Sequence, residues 1–285
     1  MPRKTHATGC PCSMSAMHAV DALDRQFATN LARGLDVLRA FGPGDRLLGN
    51  RDIAQRTGLP RPTVSRLTYT LTLLGYLVRI ERLQKYRLGS GVLMLGYPLL
   101  ASLPIRQVAR PHMEALARDT GGSVNLGMLG RLEVVYIDTL RLDQGNVLQP
   151  DIGSARPLLR TAIGRALLLS VDAGERTAIL NRLRVADAEA FATDRPLLDP
   201  DAKRFASQGL CFSEGELNPA IRSVAAPLRV GDLGLPLAVN CTHSRWGARS
   251  GSFEERVGPR LLQTVARIER SYGVMFPLER HTNDS

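Results

Sequence analysis

Residues that bind metals or carry covalent chemistry are scarce in this chain. Only four of its 285 residues are cysteine and five are histidine. Cys10 and Cys12 have a C-x-C spacing that fits structural zinc sites poorly, even with two nearby histidines as further candidate ligands. Cys211 and Cys241 are distant in sequence, and we expect both to be buried as small apolar side chains. We therefore predict no metal and no cofactor.

Long hydrophobic runs are also missing. No stretch approaches the roughly 18–20 apolar residues that a membrane-spanning helix requires. The apolar segment 92–105 is interrupted by Gly96, Pro98 and Pro104. Residues 1–23 lack the apolar core of a secretory signal and are predicted to form a disordered leader. These features favour a reduced, cytoplasmic protein that does not enter a membrane.

The common motifs of enzyme classes are missing as well. The chain has no G-x-S-x-G, no H-E-x-x-H, no Walker loop and no G-x-G-x-x-G after a strand. Its histidines are scattered rather than clustered. We predict that the chain is not an enzyme. A small-molecule enzyme is the alternative, and a turnover assay on candidate acids would separate the two.

Residues 49–75 have a pattern typical of a DNA-reading pair of helices. Asn50 is predicted to cap a short helix, Gly58 to end it in a left-handed conformation, and Pro62 to lie in the first turn of the next helix. The apolar stripe of that second helix is predicted to be Val64, Leu67, Leu71 and Leu74. The outward side presents hydroxyl and guanidinium groups, as a major-groove reader requires. The predicted DNA contacts here are Arg51, Arg61, Pro62, Thr63, Ser65, Arg66 and Tyr69.

The flanking segments complete a winged helix-turn-helix. Residues 76–80 and 85–88 are predicted strands, joined by a polar connection that suits a β-hairpin. Arg82 and Lys85 near its tip are predicted DNA contacts. A helix over residues 31–41 precedes the pair, and its predicted inward face is Leu31, Leu35, Leu38 and Phe41. An ordinary helical hairpin with a solvated basic face is the alternative.

Positive charge is concentrated in this part of the chain. Residues 24–99 contain 12 Arg or Lys against 5 Asp or Glu, a net +7 of the total +10, whereas residues 100–285 contain 23 against 21. Such concentration is the electrostatic signature of phosphate contact. A winged-helix module that binds protein rather than DNA is the alternative, and a salt-dependent gel shift would distinguish them.

The remaining two thirds mixes helical and strand periods, which predicts an α+β domain with helices packed on a curled antiparallel sheet. The predicted helices are 107–120, 161–170, 173–183 and 253–272, and the predicted strands are 123–128, 133–140, 223–230 and 235–242. The apolar surface of a linker helix favours at least a dimer. The predicted organisation is a leader (1–23), a winged helix-turn-helix domain (24–89), the linker helix (90–104), an effector-binding domain (105–276) and a tail (277–285).

Three segments of the sequence stand out by their motifs and by the order in which they occur. The first is Asp52-Ile53-Ala54 with Gly58-Leu59-Pro60-Arg61-Pro62-Thr63-Val64-Ser65-Arg66-Leu67, continuing to Leu74-Gly75-Tyr76 and Tyr86-Arg87-Leu88-Gly89. The second is Ile152-Gly153 with Pro157 and Thr161-Ala162-Ile163-Gly164-Arg165-Ala166. The third is Glu214 and Glu216 with Ile221-Arg222-Ser223-Val224-Ala225-Ala226-Pro227. Together and in this order, the three segments resemble the IclR family of bacterial transcriptional regulators, and the likeness covers about residues 25–275.

The resemblance implies a winged helix-turn-helix that binds double-stranded operator DNA and dimerises, and a C-terminal effector domain of GAF-like fold. It also implies a homodimer, often a dimer of dimers, and a small organic acid as effector. By likeness, the effector contacts would be Thr161, Ala162, Ile163, Ser213, Glu214, Ile221, Ser223, Asn240 and Thr242. The operator, the effector's identity and the sign of regulation stay open.

Elementary chemistry agrees with such a pocket. A helix starting at Thr161 favours an anion, and Asn240 and Thr242 would share one strand face while Cys241 faces the other. The alternative is that these polar groups satisfy one another and a buried water.

Charged groups are expected near the mouth of the pocket. Ser213 stands where many relatives have an acid. Arg156, Arg160 and Arg222 are either solvated or turned inward to pair with a carboxylate. His243 is a further candidate effector contact.

Overall fold

The computed structural model describes residues 26–141, 150–230, 234–244 and 253–276. The chain divides into two compact units, one of residues up to 102 with 185–188, the other of residues 103–184 and from 189 onward. The predicted leader with Cys10 and Cys12, the predicted tail, and most of the predicted turn 231–234 lie outside the described residues.

The N-terminal unit is a three-helix bundle followed by a β-hairpin. Its elements are α1 (Thr29–Arg39), α2 (Asn50–Thr57), α3 (Arg61–Leu73), β1 (Leu77–Ile80) and β2 (Lys85–Leu88), and the strands pair antiparallel. Gly58 ends α2 with φ of 70°, a conformation that glycine adopts without steric cost. The buried core consists of Val37, Ala40, Phe41, Leu48, Ile53, Val64, Leu71, Leu77 and Tyr86. The predicted winged helix-turn-helix is confirmed.

Two details of the helix pair differ from the prediction. Asn50 does not cap α2: it is the first helical residue, and the Gly49 amide donates to Asp52 Oδ2 at 2.9 Å. Leu74 is exposed because it follows the last turn of α3, and Thr68 is buried on the inward face instead. The Thr68 hydroxyl tolerates burial because it donates to the Val64 carbonyl at 2.9 Å, and Asn50 Oδ1 lies 3.3 Å from it.

The inward face of α1 was also predicted wrongly in part. Leu31 and Leu35 are 65% and 48% exposed. The core is contacted from positions i, i+3 and i+4 by Val37, Ala40 and Phe41, which are buried. The predicted face and the observed one overlap at Phe41, which is buried, and at Leu38, which packs against the core.

The linker helix is α4 (Ser90–Ala101), and none of its residues is buried within the described chain. Its large exposed side chains are Leu93, Met94, Leu95, Tyr97 and Leu99. In the described part of the chain, no single helix has the length and hydropathy of a membrane span; α4 and the following helix, Ile105–Thr120, meet that test only as a broken pair.

The C-terminal unit is built on a six-stranded antiparallel sheet. Its strands are β3 (Ser123–Leu129), β4 (Glu133–Leu140), β5 (Ala155–Pro157), β6 (Cys211–Ser213), β7 (Ile221–Leu228) and β8 (Leu237–Ser244), in the spatial order β5-β4-β3-β8-β7-β6. Its helices are α5 (Ile105–Thr120), α6 (Ala162–Ser170), α7 (Ala173–Ala186), α8 (Ala188–Asp194), α9 (Leu198–Gln208) and α10 (Phe253–Met275). The predicted α+β class with an antiparallel sheet is confirmed.

Helices cover both faces of this sheet. Cys241 on β8 lies 3.5 Å from the hydroxyl of Thr120 on α5, as predicted for a side chain facing away from Asn240. On the other face, a Cβ added to Gly127 would lie 2.9 Å from Ile163 of α6. Side chains alternate along a strand, so Asn240 and Thr242 lie on the side of the sheet that α6 covers. We call this side the α6 face. α5 and α10 cover the opposite face.

The sequence prediction missed α9, a helix of 11 residues, and the shorter elements α8, β5 and β6. It also displaced the two late strands. β7 ends at Leu228 rather than at Val230, and β8 begins at Leu237 rather than at Leu235. The register places Asn240 opposite Ala225 and Thr242 opposite Ser223.

Candidate DNA-binding surface and effector site

The outward side of α3 carries polar and basic groups that have no partner among the described residues. Arg61, Ser65 and Arg66 are exposed, Tyr69 is 66% exposed, and Thr63 is half-buried. α3 begins after Pro60 with no side-chain cap, so the first backbone N–H groups of the helix are also unoccupied. This surface can offer guanidinium, hydroxyl and amide donors to a nucleic acid.

Other arginines of the same unit are engaged within the protein. Arg56 donates to Asp45 Oδ1 at 3.0 Å and to the Ala40 carbonyl at 2.8 Å, and its hydrogen bond holds the pKa of the Asp45 carboxyl below its usual value. Arg79 pairs with Glu81 at 3.4 Å. Both guanidinium groups are therefore already paired within this unit.

The wing presents a second set of basic groups. Arg82 and Lys85 are exposed, with no ion pair among the described residues, and Gln84 between them adopts a left-handed φ of 50° that closes the hairpin. Arg51 is similarly exposed in the first turn of α2. Thus the predicted basic DNA contacts are all solvent-accessible.

In the C-terminal unit, Thr161 caps α6 rather than offering a free hydroxyl. Its Oγ1 accepts from the Gly164 amide at 3.1 Å and donates to the Pro157 carbonyl at 3.0 Å. The backbone N–H groups of Ala162 and Ile163, both buried residues, have no acceptor within the described chain. Two buried donors at a helix start are suited to an anion.

A row of small polar residues crosses the α6 face of the sheet. The strand registers place Ser213, Ser223, Thr242 and Ser123 side by side on four adjacent strands. Two residues from Thr242 along β8, Asn240 Nδ2 donates to Ser223 Oγ at 3.1 Å, and Asn125 Nδ2 donates to Asn240 Oδ1 at 2.8 Å. The sequence prediction missed Asn125, although it is two residues from Ser123 and so lies on the same face of the strand.

In the loop after β6, the Glu216 carboxylate is hydrogen-bonded to groups of the loop itself. Glu216 accepts hydrogen bonds from the Ser213 hydroxyl and, at 2.7 Å, from the Glu214 amide, and Arg165 lies 3.3 Å away. Burial raises the pKa of Glu216, but these hydrogen bonds and Arg165 outweigh it and leave the pKa below its usual value. Arg160 donates to the Glu216 carbonyl. The Glu214 side chain is exposed.

Three predicted site residues lie away from this row. Arg156 is on β5, at the opposite edge of the sheet from Ser213. Arg222 and His243, a cross-strand pair, point to the α10 side, where both contact the Phe253 ring, so their expected place at the mouth beside Asn240 is wrong. The reason is the two-residue strand period. Burial, then Arg256 and Arg222, lower the pKa of His243 to about 4, so the imidazole is neutral at pH 7.

A small polar cleft of about 80 Å³ lies on that opposite side, between α5 and α10. It is lined by His112, Ala115, Leu116, Asp119, Arg260, Gln263, Thr264 and Arg267. None of the predicted effector contacts lines it. We therefore base the effector site on the polar row and the start of α6, not on this cleft.

The fold and the exposed basic helix define a winged helix-turn-helix protein with a separate α+β domain. The sequence-family model of the IclR helix-turn-helix domain matches residues 30–81. The family model described as "Bacterial transcriptional regulator IclR C-terminal" matches residues 98–269. The chain belongs to the IclR family of bacterial transcriptional regulators. It is a regulator with an N-terminal helix-turn-helix and a C-terminal effector domain.

Named relatives agree. The chain is similar to the HTH-type transcriptional regulator TsaQ1/TsaQ2 of Comamonas testosteroni, with 36% identity covering 84% of this chain and 87% of the relative. It is 31% identical to the Pca regulon regulatory protein of Pseudomonas putida, covering 84% and 82%.

Solved structures share the architecture. An IclR family transcriptional regulator from Brucella abortus matches with a TM-score of 0.76 and 40% identity, covering 90% of this chain and 98% of that one. An IclR homolog from Microbacterium hydrocarbonoxydans, solved in complex with 4-hydroxybenzoate, shares the fold with a TM-score of 0.66 and 22% identity, covering 86% and 99%.

Proposed function

We propose that the chain binds operator DNA through α3 and the wing, and that a small organic acid held in its C-terminal domain modulates this binding to control catabolic genes. The DNA part rests on the basic groups of α3 and the wing that have no ion-pair partner among the described residues, beside arginines of the same unit that are already paired. The regulon named for the Pseudomonas putida relative favours control of a gene set.

Arg66 and Lys85 are expected to act on DNA differently. Arg66→Ala should weaken binding to an operator fragment, selected in vitro from random DNA, by about 1–3 kcal/mol if Arg66 contacts a base edge. Lys85→Ala should weaken binding to all sequences alike and lower the salt slope by about one phosphate contact. Affinities are measured by fluorescence anisotropy across a salt series.

Arg79→Ala is the matched control, because this arginine lies on the same hairpin but pairs with Glu81. The affinity of the Arg79→Ala variant for the operator fragment should stay close to that of the unaltered chain. If Arg66→Ala and Lys85→Ala also leave affinity unchanged, the proposed DNA-contacting surface is wrong.

We propose also that α4 joins two copies of the chain. Its large apolar side chains are exposed and form a patch of the kind that soluble proteins usually cover. A twofold dimer would present two recognition helices to a pseudo-palindromic operator.

Light scattering at micromolar concentration should give at least twice the 31.1 kDa mass of one chain. Leu93→Glu with Tyr97→Glu, one helical turn apart, should shift the protein toward monomer because charges would enter the apolar contact. Val274→Glu, at an exposed apolar residue of α10, serves as control and should leave the dimer intact. A monomer in the unaltered chain would refute dimerisation.

For the effector, we propose that a carboxylate binds at the start of α6 and that neutral groups of the sheet orient the rest of the molecule. Ala162 and Ile163 supply two unoccupied backbone donors together with the positive end of the helix dipole. Ser223, Asn240 and Thr242 supply neutral polar groups on the facing sheet, without a buried unpaired charge. The 4-hydroxybenzoate complex of the Microbacterium structure is an example of such an acid in the same fold.

Thr242→Val tests this site. It keeps the side-chain volume but removes a hydroxyl that otherwise contacts the Ser123 carbonyl at 3.3 Å. Losing one hydrogen bond to a charged ligand should raise the dissociation constant about tenfold to a hundredfold. Calorimetric titration with small aromatic and aliphatic acids measures it, and Thr177→Val on exposed α7 is the control. An acid that binds Thr242→Val and the unaltered chain equally well would rule out Thr242 as a contact.

A further inference from the structure

Asn125 ends the polar chain on the α6 face with an unsatisfied atom. It is fully buried, and its amide Nδ2 donates to Asn240 Oδ1 at 2.8 Å, while Asn240 Nδ2 donates to Ser223 Oγ at 3.1 Å. Asn125 Oδ1 is also buried and receives no hydrogen bond from any described residue. A buried carbonyl oxygen without a donor is costly, and native proteins rarely leave one so.

The position of Asn125 connects it to the proposed effector site. Asn125 pairs directly with Asn240 across β3 and β8, and Ser123, two residues away, pairs with Thr242. In the other direction along the same strand face is Gly127, where a Cβ would lie 2.9 Å from Ile163 of α6. Asn125 therefore lies between the polar row and the part of β3 that α6 covers.

A carboxylate cannot satisfy this oxygen. An ionised carboxylate has acceptors alone, which suit the Ala162 and Ile163 amides but not another carbonyl oxygen. The missing partner must donate, and it must be uncharged, because a buried ammonium with no acidic partner would be strongly unfavourable. A hydroxyl or an aromatic amino group meets both conditions, and a phenolic hydroxyl with a pKa near 10 keeps its proton at pH 7.

Building on the proposed effector site, we infer that Asn125 is a specificity-determining residue. Its Oδ1 accepts a hydrogen bond from a hydroxyl or amino group on the bound acid, so the chain selects acids that carry such a donor over their unsubstituted counterparts. A buried water donating to Asn125 is the competing explanation. It predicts that acids with and without the donor bind alike.

The experiment uses the full chain and defined probes. Benzoate, its three hydroxy isomers, its three amino isomers and the matching methoxybenzoates are titrated calorimetrically. The methoxy compounds keep the oxygen but lose the donor. The best hydroxy or amino isomer should bind at least about tenfold more tightly than benzoate and than its methoxy counterpart, because the unaltered site would otherwise leave an acceptor unpaired.

Asn125→Leu keeps the branching of the side chain and removes the acceptor, so it should abolish that discrimination. Asn181→Leu, at an exposed position on α7, is the matched control and should retain it. The ratio of the dissociation constants of the different acids for the unaltered chain tests the inference even if Asn125→Leu folds poorly.

Each outcome decides the inference. If acids bind the unaltered chain but the hydroxy, amino and unsubstituted forms agree within about threefold, the role of Asn125 is overturned while the organic-acid site stands. If discrimination persists in a folded Asn125→Leu, another group contacts the donor and the inference is likewise overturned. If no acid binds the unaltered chain, the proposed effector class and this inference both fail.

Discussion

Arg165→Met is expected to lower the free energy of unfolding of the C-terminal unit by about 3–5 kcal/mol. The Arg165 guanidinium is 1% exposed and donates to Asp201 Oδ2 at 2.6 Å, to the Leu159 carbonyl at 2.6 Å and to the Phe212 carbonyl. Its removal leaves the buried Asp201 carboxylate without its buried cation. Urea unfolding followed by circular dichroism measures the change.

Two variants separate this effect from the loss of any arginine. Arg195→Met breaks an exposed i,i+4 pair with Asp199 and should change stability by at most about 0.5 kcal/mol. Adding Asp201→Leu to Arg165→Met removes the unpaired charge and should recover part of the loss. If Arg165→Met unfolds at the same urea concentration as the unaltered chain, the buried pair does not stabilise the unit.

The helix-turn-helix could be predicted from sequence because its signals are local. Gly58 and Pro62 fix backbone conformations at a helix end and a helix start, whatever surrounds them. The errors arose where local signals compete. The sequence indicated Asn50 as the cap of α2, whereas in the structure Gly49 is the N-cap and Asn50 is the first helical residue. In α1, apolar residues at 31 and 35 gave the predicted period, but Val37 and Ala40 contact the core.

The candidate effector site depended on pairing between distant segments. Asn125 and Asn240, 115 residues apart, meet because β3 and β8 are neighbours in the sheet, which no local pattern specifies. Alternation along the strands correctly separates Cys241 from Asn240, and for the same reason it places Arg222 and His243 on the other face.

The net charge indicated the function of a whole segment but not the role of any single arginine. The +7 on residues 24–99 indicated a nucleic-acid partner. It could not distinguish Arg66, which is unpaired among the described residues, from Arg56, which bonds to Asp45. That distinction required the position of the loop before α2.

Gly164→Ala is expected to destabilise the C-terminal unit by about 3 kcal/mol or more. Gly164 lies in the first turn of α6, where the helix backbone passes directly against residue 158. A Cβ at Gly164 would lie 2.2 Å from the Leu158 carbonyl oxygen and 2.5 Å from its Cα. Both are backbone atoms that cannot rotate away, so α6 or the segment before it must shift. That shift would also disturb the Thr161 cap and the two free amides proposed to bind the carboxylate.

Gly273→Ala is the matched control, because a Cβ there meets no atom within 4 Å and the residue is also helical. It should stabilise the protein by up to about 1 kcal/mol, since alanine loses less backbone entropy than glycine in a helix. Thermal unfolding of both variants measures their stability. Where Gly164→Ala folds, calorimetric titration with small organic acids measures the effect on the proposed anion site. A Gly164→Ala protein as stable as the unaltered chain would contradict the close packing of α6 on Leu158, and with it the geometry of the proposed anion site.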